Sequence, residues 1–327
     1  MVRLLSNDDV ATVLDLEALL PVVAEAFRKQ GAGAVERPER PHFPVGTGLD
    51  PEDPDEPLGT GLVMPAYVHG DDHYATKLVG VHEGNPEHGL PTVHAQVVLT
   101  QAATGLPAAY MDGTLVTSAR TGCIGGLAAR ELATGPVSLG VLGAGTQARW
   151  QTRAIAAATD LRSVRIYSPS DSRERCAADL RAQLDADVAA VDSPTAAVEG
   201  ANVVVTATTA TEPVFPPAAL APGVVVVAVG AYTAETQELA PGTFERAARV
   251  FADVPAEVAG IGDALDAGLE ASDMRPFSDV LEGEAGRESD QEILVVESVG
   301  TAVLDAAAGG HLLERAEAED VGTEFEL

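Results

Sequence analysis

The chain has 327 residues, 46% of them hydrophobic, which suits two cored domains better than one. Its 50 acidic residues against 20 basic ones leave a formal charge of −30, which argues against nucleic acid and anionic membrane surfaces as partners, since both need a basic footprint. The acid is spread along the chain and lysine is almost absent. Such a surface repels itself until salt shortens the Debye length to about 3 Å near 1 M, so the composition reads as that of a salt-adapted cytoplasmic protein.

The opening "MVRLLSNDDV" turns acidic too early for a signal peptide. No apolar run nears the roughly 20 residues of a membrane span; the longest, "VVVVAV" at 224–229, has the length of a strand. Next, "LDLEALLPVVAEAFRKQGAG" places Leu16, Leu19, Leu20, Val23 and Phe27 at helical spacing, with Asp15 to cap it and Gly31 to end it. Residues 33–61, rich in Pro, Gly and acid, read as extended pieces joined by a long loop. "GLVMPAYV", "HYATKLVGV", "PTVHAQVVLT" and the hairpin "ATGLPAAYMDG" then predict a sheet. From about residue 117 the pattern changes. "TSARTGCIGGLAARELA" predicts a helix capped by Thr117 or Ser118, after which short apolar strands alternate with helices as in a parallel α/β sheet. The final strand and helix, "EILVVESVGTAVLDAAAGGHLLERAEA", predict a helix that returns to the first domain and makes it discontinuous. Cys123 and Cys176 have neither metal nor disulfide spacing and read as buried small hydrophobes.

Gly143, Gly145 and Ala148 in "VSLGVLGAGTQARWQ" fit G-x-G-x-x-A directly between a strand and a helix. The first glycine permits the tight turn, the second lets backbone approach a pyrophosphate, and the small third residue lets helix and strand pack closely. The next strand ends at Ser168, where an NAD site usually carries an acid for the ribose hydroxyl. Ser170 and Arg173 follow, so a 2′-phosphate is acceptable and NADP is mildly favoured, while Asp171 keeps NAD open.

Only two residues are lysines, Lys29 and Lys77. Lys29 lies beside Arg28 near a helix end, but Lys77 lies in "YATKLVG", an apolar strand. A buried cation there costs several kcal/mol unless paired.

Several stretches agree with one family: "VMPAY", "TKLV", "GNPEHGLPTVHA", "TGLPAAYMDG", "TSARTGCIGGLAAREL", "VLGAGTQAR", "VGAYTAETQEL", "GRESDQEI" and "ESVGTAVLD". In these the chain resembles the ornithine cyclodeaminase/μ-crystallin family, which includes archaeal alanine dehydrogenases of that fold. The resemblance implies an α/β protein with a Rossmann dinucleotide-binding domain (119–299) and a discontinuous α+β substrate and dimerisation domain (1–118, with a C-terminal helix at 300–327). It implies a homodimer, and a small amino acid or imino acid as substrate against the nicotinamide of NAD or NADP. Lys77 falls on the active-site lysine, which implies a substrate carboxylate as the partner of its charge. Arg40, with Arg37 as its rival, falls on a carboxylate-binding position, and Arg120 on an arginine near cofactor and substrate. Thr92, Thr146, Gln147, Thr208, Gly230 and Ser298 match cofactor contacts, and Val299 a position against the nicotinamide or substrate. His82, His88 and His94 have no metal spacing and read as structural or solvent-facing.

Two departures matter. Cyclodeaminases carry an acid two positions before "MP", where this chain has Leu62, and an Asp six residues before the Glu of "EL", where it has Tyr232. Cyclisation with loss of ammonia needs proton transfers at two nitrogens. Reducing C=N needs a held carboxylate, a hydride donor and one proton donor, and Lys77 and Tyr232 can fill the last role. The expectation is an amino-acid dehydrogenase or ketimine reductase. Ornithine cyclodeaminase, or a non-catalytic NADP(H)-binding protein like μ-crystallin, are the alternatives.

Overall fold

The computed structural model describes residues 1–49 and 51–326. The chain is α/β and divides into two compact units. One comprises Met1–Asp15, Ala32–Arg120 and Ala302–Leu327, the other Leu16–Gly31 and Thr121–Thr301.

The first unit is built on an eight-stranded sheet, counted among the described residues. Its order runs from Thr323–Phe325 through Val2–Leu5, Pro107–Asp112, Val93–Gln101, His73–Val81 and Gly59–Val68 to Val35–Glu36, and His42–Val45 also pairs with Gly59–Val68. Alternation along the strands decides what each face carries. Ala75 and Lys77 turn to the buried face, as do Val97 and Leu99 of the next strand, while Tyr74 and Leu78 turn to the other. The Ala302–Ala318 helix packs on the buried face. It comes close because Gly309 has no side chain; a Cβ there would lie 3.3 Å from Leu99 and 3.4 Å from Val97. Residues 2–13, unassigned from sequence, form the Val2–Leu5 strand and an Asn7–Val13 helix with a capping box, in which Ser6 and Asp9 each accept the other's backbone N–H.

The opposite sheet face is largely apolar and uncovered within the unit. Register places Leu4, Tyr110, Val98, Thr76 and Pro65 in one row across five strands. Leu4 and Tyr110 are each 40% exposed, and neighbouring Leu78 39%.

The second unit holds an eight-stranded sheet in which every pairing is parallel. Val137–Leu142 lies between Leu161–Tyr167 and Val203–Thr206; the chain winds outward first on one side and then on the other. That reversal opens a crevice at the carboxyl ends of the strands, where such sheets bind ligands. Valine dominates its core strands, as expected of strands buried on both faces.

Two expectations are corrected. The Leu16–Gly31 helix belongs to the second unit, not the first. Its apolar stripe meets the Phe277–Leu281 helix, where the Phe27 and Phe277 rings pack edge-on at 5.3 Å. Arg28 Nη2 donates to the Leu281 carbonyl at 3.1 Å and Gln30 Nε2 to that of Asp253 at 2.8 Å. The helix expected from Thr117 begins instead at Gly113, because Asp112 Oδ1 accepts the Leu115 N–H at 2.8 Å and acts as the cap. Thr117 and Ser118 are therefore interior helical residues, and the boundary between units falls in this helix after Arg120. Among the described residues no helix is long and apolar enough to cross a membrane.

Candidate active site

Lys77, in the middle of His73–Val81, pairs with Met64 on one side and Val97 on the other and is 2% exposed. Its expected partner was a substrate carboxylate; its partner in the protein is Asp305, from the Ala302–Ala318 helix. Lys77 Nζ lies 2.7 Å from Asp305 Oδ2. Arg120 donates to the same carboxylate through Nε at 3.0 Å and Nη2 at 3.4 Å. Thr117, one helical turn before Arg120, donates to Asp305 Oδ1 at 3.3 Å and accepts from Lys77 at 3.4 Å. One buried carboxylate thus serves two buried cations, and Arg120 Nη1 is left buried with no hydrogen-bond partner among the described residues.

The electrostatics follow from that count. Burial pulls the Lys77 ammonium down to about 8; Asp305 opposes the fall, and Arg120 and Arg40 add to it. Burial alone would push the Asp305 carboxyl up, but Arg120 and Lys77 outweigh it and hold the group below the usual aspartate range. Arg40, half-buried in the loop before His42–Val45, is close enough for its charge to act on Lys77; its rival Arg37, three residues earlier, is also half-buried. Two buried cations, Lys77 and Arg120, around one carboxylate suit a further anion at this place. Leu62 pairs with Val79, two residues from Lys77 along the strand, and so shares its face of the sheet. Thr92 is half-buried, and its carbonyl accepts the His82 N–H at 2.8 Å. His82 bonds the Leu58 carbonyl through its ring, and His88 and His94 are exposed. Among the described residues no group of three or more His, Cys, Asp or Glu is placed to hold a metal ion.

In the second unit, Gly143 closes the turn after Val137–Leu142 with φ +113°, and a Cβ there would lie 2.4 Å from the Ala207 carbonyl. Gly145 caps the Thr146–Ala158 helix without any side-chain bond, and a Cβ at Gly145 would meet nothing within 4 Å. That leaves open space in front of a helix N-terminus, the cradle a pyrophosphate needs. Ala148 is fully buried, and Gln147 Oε1 is buried without a hydrogen-bond partner among the described residues. These residues fit a dinucleotide. Ser168 follows the Leu161–Tyr167 strand; its hydroxyl lies 3.0 Å from that of Ser172, which lies 2.7 Å from that of Ser170. Arg173 Nη1 donates to the Ser168 carbonyl at 3.0 Å, and Nη2 approaches Asp192 at 3.4 Å.

Thr208 and Gly230 meet at Glu238, which is fully buried. Its carboxylate accepts from Thr206 and Thr208 hydroxyls and from the Thr208 and Gly230 N–H groups, at 2.6–2.8 Å. Burial nonetheless raises it to about 7. Ser298 donates to Asp253 at 2.6 Å, and Asp253 also accepts the Gly300 N–H at 2.7 Å. Val299 is half-buried against the sheet core, and Tyr232 is 52% exposed. Sequence reasoning missed Asp305 and the acids Asp253, Asp263 and Glu297. The available signal was an acid inside an apolar run, as in "AVLDAAAGG" and "ILVVE".

Comparison with known proteins bears on this arrangement. The sequence profile of the ornithine cyclodeaminase/mu-crystallin family matches residues 2–320. Alanine dehydrogenase of Archaeoglobus fulgidus is 31% identical over 331 residues, covering 99% of this chain and 98% of the other. The structure of Thermococcus litoralis Delta(1)-pyrroline-2-carboxylate reductase in complex with NADH and L-proline superposes with a TM-score of 0.91 at 27% identity, over 99% of this chain and 100% of that one. An archaeal alanine dehydrogenase dimer with bound NAD superposes with a TM-score of 0.89 at 28% identity, over 100% and 99% of the two chains.

Proposed function

The chain belongs to the ornithine cyclodeaminase/mu-crystallin family, and from that premise we propose that it is an NAD(P)H-dependent oxidoreductase acting on the C–N bond of a small amino acid or imino acid. The observation that carries this reading is the buried group of Lys77, Arg120 and Asp305, with Arg120 Nη1 lacking a hydrogen-bond partner among the described residues. A substrate carboxylate supplies the missing anion, and a guanidinium edge grips it more firmly than an ammonium.

Bound NAD(P)H supplies the hydride. Lys77, poised to titrate near pH 8, supplies or takes the proton. In amine oxidation a neutral Lys77 would take one proton from the substrate ammonium and free the nitrogen lone pair; in reduction the Lys77 ammonium would return that proton to the nitrogen. Tyr232 is a second candidate donor. Leu62, sharing a sheet face with Lys77, offers an apolar wall where a cyclodeaminase has a carboxylate. The names of the relatives, an alanine dehydrogenase and a pyrroline-2-carboxylate reductase, agree with this choice. A non-catalytic dinucleotide binder would have no use for two buried cations around one carboxylate.

Within this reading the cofactor is NADPH in preference to NADH, because three serine hydroxyls and Arg173 follow the strand that ends without an acid. The chain works as a homodimer through the uncovered row of Leu4, Tyr110 and Val98. The test is consumption of NADH or NADPH at molar salt with 2-oxo acids plus ammonium, and with cyclic imino acids. Stoichiometric oxidation of the nicotinamide supports the proposal; efficient proline formation from ornithine with catalytic NAD overturns it.

A further inference from the structure

Asp305 ends the matching stretch "ESVGTAVLD" without being assigned a role, yet it is the group on which both Lys77 and Arg120 converge. Its carboxylate is 2.7 Å from Lys77 Nζ and 3.0 Å from Arg120 Nε, and Thr117 steadies Oδ1 at 3.3 Å. All three charged side chains are almost wholly buried, so water screens none of these interactions. We propose that Asp305 is the positioning residue of the site: it sets the protonation of Lys77 and holds Arg120 so that the guanidinium edge carrying Nη1 is offered to an incoming carboxylate.

The groups around Lys77 are few. The Ala302–Ala318 helix contributes Asp305, the Gly113–Leu132 helix Arg120 and Thr117, and the loop before His42–Val45 contributes Arg40. The flanking strands present uncharged Met64 and Val97. Asp305 is thus the one anion acting on Lys77 among these groups, against two cations and burial, which all favour the neutral amine. The carboxylate keeps Lys77 able to exist in both forms near neutrality, which a group that gives and takes a proton requires. Its two oxygens engage Arg120 Nε and Nη2, so the side of the guanidinium carrying Nη1 is the one left over.

This inference rests on the proposed activity only for its consequence, not for its test. The chain contains just two lysines, so incorporation of lysine labelled with carbon-13 at the ε position produces two signals, and Lys77→Met assigns them. Titrating the full chain in 2 M KCl without cofactor reads the Lys77 protonation directly. With Asp305→Asn its midpoint falls by roughly one to three pH units, the usual effect of losing an opposite charge at contact distance, and the alkaline limb of turnover against pH falls with it. An unchanged Lys77 midpoint in Asp305→Asn overturns the proposal. If that variant does not fold, Asp305→Glu decides. The carboxylate is retained, so the midpoint stays within about one unit of the wild type, and a larger fall overturns the proposal. A chain that reduces no imine but whose Lys77 midpoint moves in Asp305→Asn keeps the role of Asp305 and defeats the proposed function instead.

Discussion

Glu297→Gln tests the buried acids at the carboxyl ends of the second unit's strands. Glu297 ends the Ile293–Glu297 strand, is 1% exposed, and sits between Ala228 and Ala252 of the neighbouring strands. Its Oε1 has no hydrogen-bond partner among the described residues. Burial, and then the charges of Asp263, Glu238 and Asp253, push its carboxyl well above the usual glutamate value of 4.5, so the folded chain carries it neutral. The sign follows from proton counts. Between 4.5 and the folded value, the folded state holds a proton that the unfolded state has released, so stability falls as pH rises through that window. One such proton changes stability by about 1.4 kcal/mol per pH unit. Glutamine keeps the shape and stays neutral, which removes this slope. Stability measured by urea unfolding at constant molar KCl, from pH 5 to 7, therefore declines less steeply in Glu297→Gln, by up to about 1.4 kcal/mol per pH unit wherever the pH lies below the folded value. The two chains converge toward pH 4.5 and diverge toward neutrality. Glu238, raised to about 7, and Asp263, raised to about 6, leave a residual slope of the same sign in the variant. Equal slopes in the two chains would show that Glu297 is ionised in the folded state and that the argument from its burial is wrong.

The remaining predictions concern activity, assembly and salt. Lys77→Ala should lower turnover by roughly 10²–10⁴-fold while dinucleotide affinity, measured by fluorescence titration, stays near wild type; normal turnover removes Lys77 from the mechanism. Ser168→Asp should shift the ratio of kcat/KM for NADPH over NADH toward NADH, because the new carboxylate repels a 2′-phosphate; a wild type that strongly prefers NADH already, unaltered by the change, ends the phosphate-binding reading of Arg173. Leu78→Asp, on the exposed sheet face, should convert a dimer to monomers in light scattering without unfolding the chain; an intact dimer places the interface elsewhere. Thermal stability should rise steeply in KCl, most of the screening being complete as the Debye length falls from about 10 Å at 0.1 M to about 3 Å at 1 M; a flat melting temperature defeats the salt-adaptation reading of the −30 charge.

What sequence alone determined about this protein is what short-range rules govern. The turn at Gly143 and Gly145, with Ala148 behind it, is legible because a strand, a tight turn and a helix start must occur within a few consecutive residues. Strand alternation likewise assigns Lys77 to the buried side of its sheet, and a lone lysine in an apolar strand is itself a signal. The start of the Gly113–Leu132 helix was misread because two plausible caps, Thr117 and Ser118, follow the one used, Asp112, and local preference alone does not choose between them. What only the tertiary structure decided is which charges meet. Asp305 lies 185 residues from Arg120 in the chain, and nothing local to either requires the other. Their pairing follows from Gly309, which lets a C-terminal helix settle against the sheet, and from desolvation, which makes an unpaired buried charge too costly to leave alone. The Leu16–Gly31 helix follows the same logic: its apolar stripe is written in the sequence, but the surface that covers it is supplied by Phe277 and its neighbours, far along the chain.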